Sequence, residues 1–282
     1  MMIIDSHVHV WDLARGGYDW PDASVPQLHR TMTLDDLTPT LDARGIDAVV
    51  LVQAADTAVD TQNMLEEARR HARVRGVVAW ADLGAEPAAF GAQFDQLRSE
   101  PVVVGLRNLM HVKGVRGWIL GEHQRANVAA VAAVGMPLDV VTSTHDELAD
   151  VVVLMEATSG LRVVVDHLGK PPVGGTTQAR REWRAVLADI AADPRSTAKV
   201  SGLSSAVGPL DSWTPEQVAP FIHDALELFG PDRLLYGGDW PVVLLAGGYA
   251  RAWDAVNEAL ASLDDAERAA VLGGTAARVY GL

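Results

Sequence analysis

The chain contains no cysteine. That excludes disulfides, a Cys-ligated zinc site and a thiol nucleophile, and it fits a reducing compartment. Basic residues are also scarce: 23 Lys and Arg stand against 37 Asp and Glu, a formal net charge of −14. The acidic residues are spread along the chain and no basic stripe exists, so neither a nucleic-acid partner nor an anionic membrane surface is expected. No apolar run approaches the roughly 18 residues that a membrane span requires; "VVVLMEA" and "PVVVGLRNLM" are short and interrupted. The N-terminus lacks the basic and long apolar regions of a signal peptide. A soluble cytoplasmic protein is the resulting expectation. Also missing are G-x-S-x-G, H-E-x-x-H, G-x-G-x-x-G and a P-loop lysine motif, so a serine elbow, a zincin helix and nucleotide cradles have no support.

What is present is a chain of 282 residues, 49% of them hydrophobic, enough for a large core. Short β-branched runs alternate with longer helical patterns. Strands are predicted near 2–9, 47–53, 76–82, 102–108, 136–141, 161–167, 197–203 and 233–239. Their nearly continuous Val/Ile/Leu content suits parallel strands buried on both faces. Between them lie helical segments with recognisable starts and stops. Thr33 caps one, and Asp60 is expected to cap "TQNMLEEARRHA". Thr214, Pro215, Gln217 and Gly230 bound another with the residues that caps favour. Eight strands alternating with helices predict a single (β/α)8 barrel over residues 1–282, with a long loop after strand 1 and an extra C-terminal helix. A doubly wound open sheet is the alternative. The irregular stretch 11–32 carries Trp11, Tyr18, Trp20 and His29; a loop of that length is a binding lid or an Ω-loop packed by its own aromatics.

Asp5, His7 and His9 alternate along the first strand, so they share one face. In a barrel that face points to the axis, near the C-terminal mouth where barrel active sites sit. Unpaired buried polar groups cost roughly 1–3 kcal/mol each, so two histidines on a core face point to function. Asp5 reads as a residue that orients a histidine. Three other strand ends add polar groups: Arg107 in "VVVGLRNL", His167 in "VVVDHLGKP" and Asp239 in "RLLYGGDWP". Asp166 has the opposite parity to His167 and is assigned to the strand–helix interface. Lys199, at a strand start, is read as structural. Trp11, Lys170, Trp240 and His111 lie near the proposed mouth and are candidates to contact substrate. His71 and His223 fall within helical segments, and His123 and His145 open them, so these four are read as surface, packing or capping residues.

A strand-1 D-x-H-x-H, a strand-6 histidine and a strand-8 Asp together resemble the amidohydrolase superfamily of barrel hydrolases. "DSHVHVWD", "VVLVQAA", "GVVAWADL", "VGLRNLMH", "DHLGKP", "KVSGLSS" and "LLYGGDWP" occur in the family's order and span residues 5 to 241. The finer similarity is to a lactonase branch acting on sugar-acid lactones such as fuconolactone or rhamnonolactone. The resemblance implies a lactone hydrolase in which Asp239 moves the proton, while Arg107, His7, His9 and His167 polarise the carbonyl. It also implies a small-molecule lactone as partner and leaves room for a homo-oligomer. Two alternatives remain: a metal-dependent decarboxylase of the same superfamily, and a non-catalytic sugar-acid binding protein.

The departures bear on the metal. The superfamily's metal-bridging strand-4 Lys or Glu is replaced by Arg107, and strand 5 offers only Asp139 where a histidine is common. A binuclear centre is therefore not expected. The pattern implies one divalent ion, zinc first, held by His7, His9 and Asp239, or no metal. Near the C-terminus, Thr275 replaces an asparagine often found in relatives.

Overall fold

In a computed structural model, residues 2–206 and 212–282 are described. The strands are β1 (Ile4–Val8), β2 (Ala48–Val52), β3 (Val74–Ala79), β4 (Val103–Leu109), β5 (Pro137–Val141), β6 (Arg162–Val165), β7 (Thr197–Val200) and β8 (Leu234–Tyr236). The helices are α1 (Leu34–Arg44), α2 (Ala58–Arg70), α3 (Pro87–Arg98), α4 (Glu122–Ala133), α5 (His145–Ala157), α6 (Thr177–Ala191), α7 (Pro215–Phe229), α8 (Tyr249–Ala259), α9 (Asp265–Ala269) and α10 (Thr275–Tyr280). All neighbouring strands pair in parallel, in the order β1 to β8. The ring closes just past β8: the His9 amide donates to the Trp240 carbonyl at 2.7 Å, and the Asp239 amide to the His7 carbonyl at 2.9 Å. This is the (β/α)8 barrel expected from the strand count.

The two faces of the strands divide the core. Ile4, Val50, Val52, Val78, Val164 and Leu235 point inward and meet Val279 and Tyr280 of α10, which closes the barrel floor. Val49, Leu51, Val77, Val163, Val165 and Tyr236 point outward into the layer shared with the helices. Burying each such side chain contributes roughly 1.5–3 kcal/mol, and this double burial explains the unbroken Val/Leu runs.

Local chemistry fixes the helix ends. Thr33 with Asp36, and Thr214 with Gln217, form capping boxes at α1 and α7. Asp60 does not begin its helix. Thr57 does, its hydroxyl accepting from the Asp60 amide at 3.2 Å. The Asp60 carboxylate turns back to accept from Ala54 and Ala55 amides at 2.8 and 3.3 Å, so it ties the β2–α2 loop instead. The 11–32 stretch is pinched at its base, where Trp11 and Met32 exchange two backbone hydrogen bonds of 2.9 Å. Trp11 meets Trp20 edge-on at 5.8 Å between ring centres. Among the described residues, no helix is long and apolar enough to cross a membrane.

Candidate active site

Strand β1 is not regular. Asp5 pairs with Val49 and Val8 with Leu51, so β1 spends three residues where β2 spends two. This bulge breaks the period-2 alternation. His7 and His9 face the barrel interior, but Asp5 points outward. Its carboxylate accepts from the Tyr249 hydroxyl at 2.6 Å, the Gly238 amide at 2.8 Å and the His7 amide at 2.9 Å. The expected shared face for residues 5, 7 and 9 is thus corrected for Asp5. Its effect on His7 is exerted through the backbone. Burial pushes the Asp5 carboxyl up to about 6, against the hydrogen bonds from Tyr249, Gly238 and His7.

In β6 the inward face is the one that carries Val164, not the one that carries Val163 and Val165. Val164 faces inward, so Asp166, two residues on, does too. It is fully buried and contacts Arg107, Lys199 and His7, not the strand–helix interface. His167 reaches the same interior because the strand ends at Val165 and the chain turns left-handed, with φ of 54° at His167, 52° at Leu168 and 51° at Lys170. Asp239 is likewise left-handed, at φ 54°. Non-glycine residues hold this conformation at a cost and concentrate at functional sites. Two glycines give the room. A Cβ on Gly237 would lie 2.6 Å from the His7 Cβ, and one on Gly202 would lie 2.5 Å from the His167 Nδ1.

These elements bring three imidazoles and one carboxylate together. His9 Nδ1 lies 2.7 Å from the Val52 carbonyl, which only accepts, so Nδ1 carries a proton. His9 Nε2 faces His7 Nε2 at 3.2 Å and Asp239 Oδ1 at 3.6 Å. Asp239 Oδ1 is 3.8 Å from His7 Nε2 and 3.9 Å from His167 Nε2, and His167 Nδ1 is anchored on the Ser201 hydroxyl at 2.8 Å. Burial lowers His7, and it lowers His167 to about 4 against the nearby Asp239 and Asp166, so both rings are neutral at neutral pH. Burial opposes the charge on Asp239. The facing His167, the hydrogen bond to His9 and the ring of His7 outweigh that and hold the carboxyl below its ordinary value.

The donor atoms of His7, His9 and Asp239 lie within 4.8 Å of one another. Zinc bonds to nitrogen and oxygen of about 2.0–2.2 Å fit between donors so spaced, with a coordination position left over. The backbone anchor on His9 Nδ1 is the kind of outer contact that orients metal-binding imidazoles. The residues present therefore fit a single divalent ion.

Beneath this cluster lies a buried charged layer that the sequence analysis did not assemble. Lys199 Nζ contacts Asp139 Oδ2 at 2.5 Å, Asp166 Oδ1 at 3.1 Å and His7 Nδ1 at 3.2 Å. The Tyr280 hydroxyl meets both Asp139 oxygens, at 2.8 and 3.0 Å. Arg107 donates to Asp166 Oδ2 at 2.8 Å and, through Nε, to Gln53 Oε1 at 3.1 Å; a further bond reaches the Gln53 carbonyl. Burial raises Asp139 to about 6, opposed by Lys199 and Tyr280. In Asp166, burial is overridden by Lys199, His7 and Arg107, which keep it well below the usual range. Asp139 and Lys199 each interrupt an apolar run at an inward position. That pattern, opposite charges inside buried strands, was the available clue to this layer.

The other candidates lie around this centre. Trp11 and Trp240 are buried in the hydrophobic core, with the Trp11 indole N–H on the Arg30 carbonyl at 2.7 Å. Lys170 and His111 are exposed. Partial burial of the His111 ring and the charges of Lys170 and Arg107 disfavour its protonation. His71 caps the C-terminus of α2, and His223 bonds the Ala259 carbonyl at 3.0 Å, both away from the centre.

Residues 4–282 match the amidohydrolase family model. An L-fucono-1,5-lactonase from Burkholderia ambifaria is 33% identical over 98% of this chain and 94% of its own length. An L-fucono-1,5-lactonase from Burkholderia multivorans is 33% identical over 99% of this chain and 96% of its own. A crystal structure of an amidohydrolase from Burkholderia multivorans with bound zinc superposes with a TM-score of 0.91 at 32% identity, with 100% of both chains covered.

Proposed function

The chain belongs to the amidohydrolase family, and we propose that it opens a small lactone, a sugar-acid lactone of the fucono- or rhamnonolactone kind, by addition of water. The observation that carries this reading is the convergence of three imidazoles on the ionised Asp239 carboxylate inside the barrel mouth. The full-length similarity to two L-fucono-1,5-lactonases supports the choice of substrate class.

The residues divide the work as follows. Asp239 accepts a proton from the attacking water as its oxygen bonds to the lactone carbonyl carbon. Arg107, held rigid by Asp166 and Gln53, and the inward histidines face the oxyanion that develops. Collapse breaks the bond to the ring oxygen, which takes the proton back from Asp239. The product is an open hydroxy acid. A divalent ion, zinc first, held by His7, His9 and Asp239 would polarise the carbonyl or acidify a water when bound. Lys170 and His111 at the surface, with Trp11 and Trp240 in the wall, are the residues assigned to substrate contact.

The test is a pH-indicator screen of sugar-acid lactones, with product analysis, before and after chelator treatment. One acid equivalent and one hydroxy acid per turnover support the reading. Loss of carbon dioxide would replace it with decarboxylation, and tight binding without turnover with a binding protein.

A further inference from the structure

Gln53 is fully buried, and both ends of its amide are committed. Its Oε1 accepts from Arg107 Nε at 3.1 Å, and its Nε2 donates to Asp56 Oδ1 at 2.6 Å. A guanidinium only donates and a carboxylate only accepts, so one orientation of the amide satisfies both partners. Turned over, the amide would set N–H against N–H at Arg107 and oxygen against oxygen at Asp56. Asp56 Oδ1 also accepts from the Leu109 amide at 3.0 Å, and Asp56 Oδ2 meets Lys113 Nζ at 2.5 Å. Lys113 in turn lies over the Trp118 ring, 4.9 Å from its centre. Asp56 thus joins the loop after β2 to the end of β4 and the loop beyond it, although β3 separates the two strands in the sheet.

We propose that Asp56 is a positioning residue for Arg107, acting through the Gln53 amide, which it holds with the oxygen toward the guanidinium. The proposal rests on the reading of Arg107 as a group that faces the developing oxyanion. Three bonds fix the guanidinium: Nη1 to Asp166, Nη2 to the Gln53 carbonyl and Nε to the Gln53 side chain. The fork is planar and rigid, so these bonds also set the direction of its remaining N–H groups. Without Asp56, nothing on the far side of Gln53 selects the amide orientation. A turned amide opposes the Arg107 Nε–H with its own N–H groups, and the guanidinium must shift to escape that contact. A misplacement of about 1 Å in a site can cost about 100-fold in rate. Lys113 balances the charge that this partly buried carboxylate carries. Asp56 acts through Gln53 and not on substrate.

Arginine-selective 15N labelling reads the Arg107 Nε–H without any turnover, and Arg107→Lys assigns its signal. Exchange of this proton with solvent is expected to be slow in the wild type and at least about 10-fold faster in Asp56→Ala. Fast exchange in the wild type, or unchanged exchange in Asp56→Ala, would overturn the proposal. Kinetics on a sugar-acid lactone that the wild type hydrolyses supply the second arm. Asp56→Ala is expected to lower kcat about 10- to 100-fold with KM within about threefold, because the lost interaction is one made in the transition state. Arg107→Lys keeps a charge beside Asp166 but has no Nε–H for Gln53. In that background, Asp56→Ala is expected to change kcat by less than about twofold, since both changes break one chain of contacts. An equal loss in both backgrounds would make Asp56 merely structural and overturn the proposal. Gln53→Met breaks the same chain at its middle link and carries both readouts if circular dichroism shows that Asp56→Ala does not fold. A wild type that opens no lactone, yet loses Arg107 Nε–H protection in Asp56→Ala, would remove the substrate reading and leave this positioning standing.

Discussion

The Nε2 atoms of His7 and His9 face one another at 3.2 Å, with Asp239 Oδ1 within 3.8 Å of both. Two imidazole nitrogens at that distance need a proton or a cation between them. The barrel creates this need deliberately, through a bulge in β1 and a left-handed turn at Asp239. The chemistry of the protein follows from how that need is met.

The floor of the site depends on Tyr280. Its hydroxyl donates to the Asp139 carboxylate that pairs with Lys199, all three being buried. Tyr280→Phe keeps the ring and removes this charge-assisted hydrogen bond. The expected loss is about 1.5–3 kcal/mol of unfolding free energy, read by urea denaturation at neutral pH.

Gly237 makes room for His7. An added Cβ would lie 2.6 Å from the His7 Cβ and 2.9 Å from the Ser201 Cβ, neither of them the end of a flexible chain. Gly237→Ala therefore forces β1 and β7 away from β8. A stability loss of about 1–3 kcal/mol is expected, together with weaker zinc binding, because His7 moves from His9 and Asp239. Calorimetric zinc titration beside a thermal melt checks both.

Asp60 gives a pH signature outside the site. Burial lifts its carboxyl to about 7, against the hydrogen bonds from Ala54 and Ala55 and the pull of Arg107. Its ordinary value is near 3.8. Between those two values the folded chain keeps a proton that the unfolded chain has lost. The stability associated with Asp60 is therefore fully present at low pH and is lost as pH rises through about 7. Asp60→Asn cannot ionise. Its melting temperature relative to wild type is expected to climb as pH is raised from 4 to 7 and then level off. A difference that stays flat or falls would contradict this assignment.

The barrel was legible because its cause is repetitive. Eight Val-rich runs each bury both faces, and their spacing leaves room for one helix between neighbours. Arg107, His167 and Asp239 stood out as polar groups at the ends of such runs, and the barrel brings them to one interior. What the sequence hid were departures from regular geometry. A one-residue bulge turned Asp5 outward, and in β6 the inward face carries Val164 and Asp166, which His167 joins only because the strand ends at Val165 and the chain turns left-handed. Lys199 and Asp139 looked like isolated polar residues in separate strands. Their pairing is set by barrel closure across 60 residues of sequence, which no local pattern encodes. Tyr280 reaches the same layer only because α10 folds under the barrel floor.

The most direct test of the account is the turnover of Asp239→Asn on a sugar-acid lactone that the wild type hydrolyses, measured beside its circular dichroism and lactone affinity. The side chain keeps its shape but can no longer accept the proton of the attacking water. The account predicts a folded protein that still binds the lactone and loses on the order of 10²–10⁴-fold in kcat. A folded Asp239→Asn variant with wild-type kcat would contradict it.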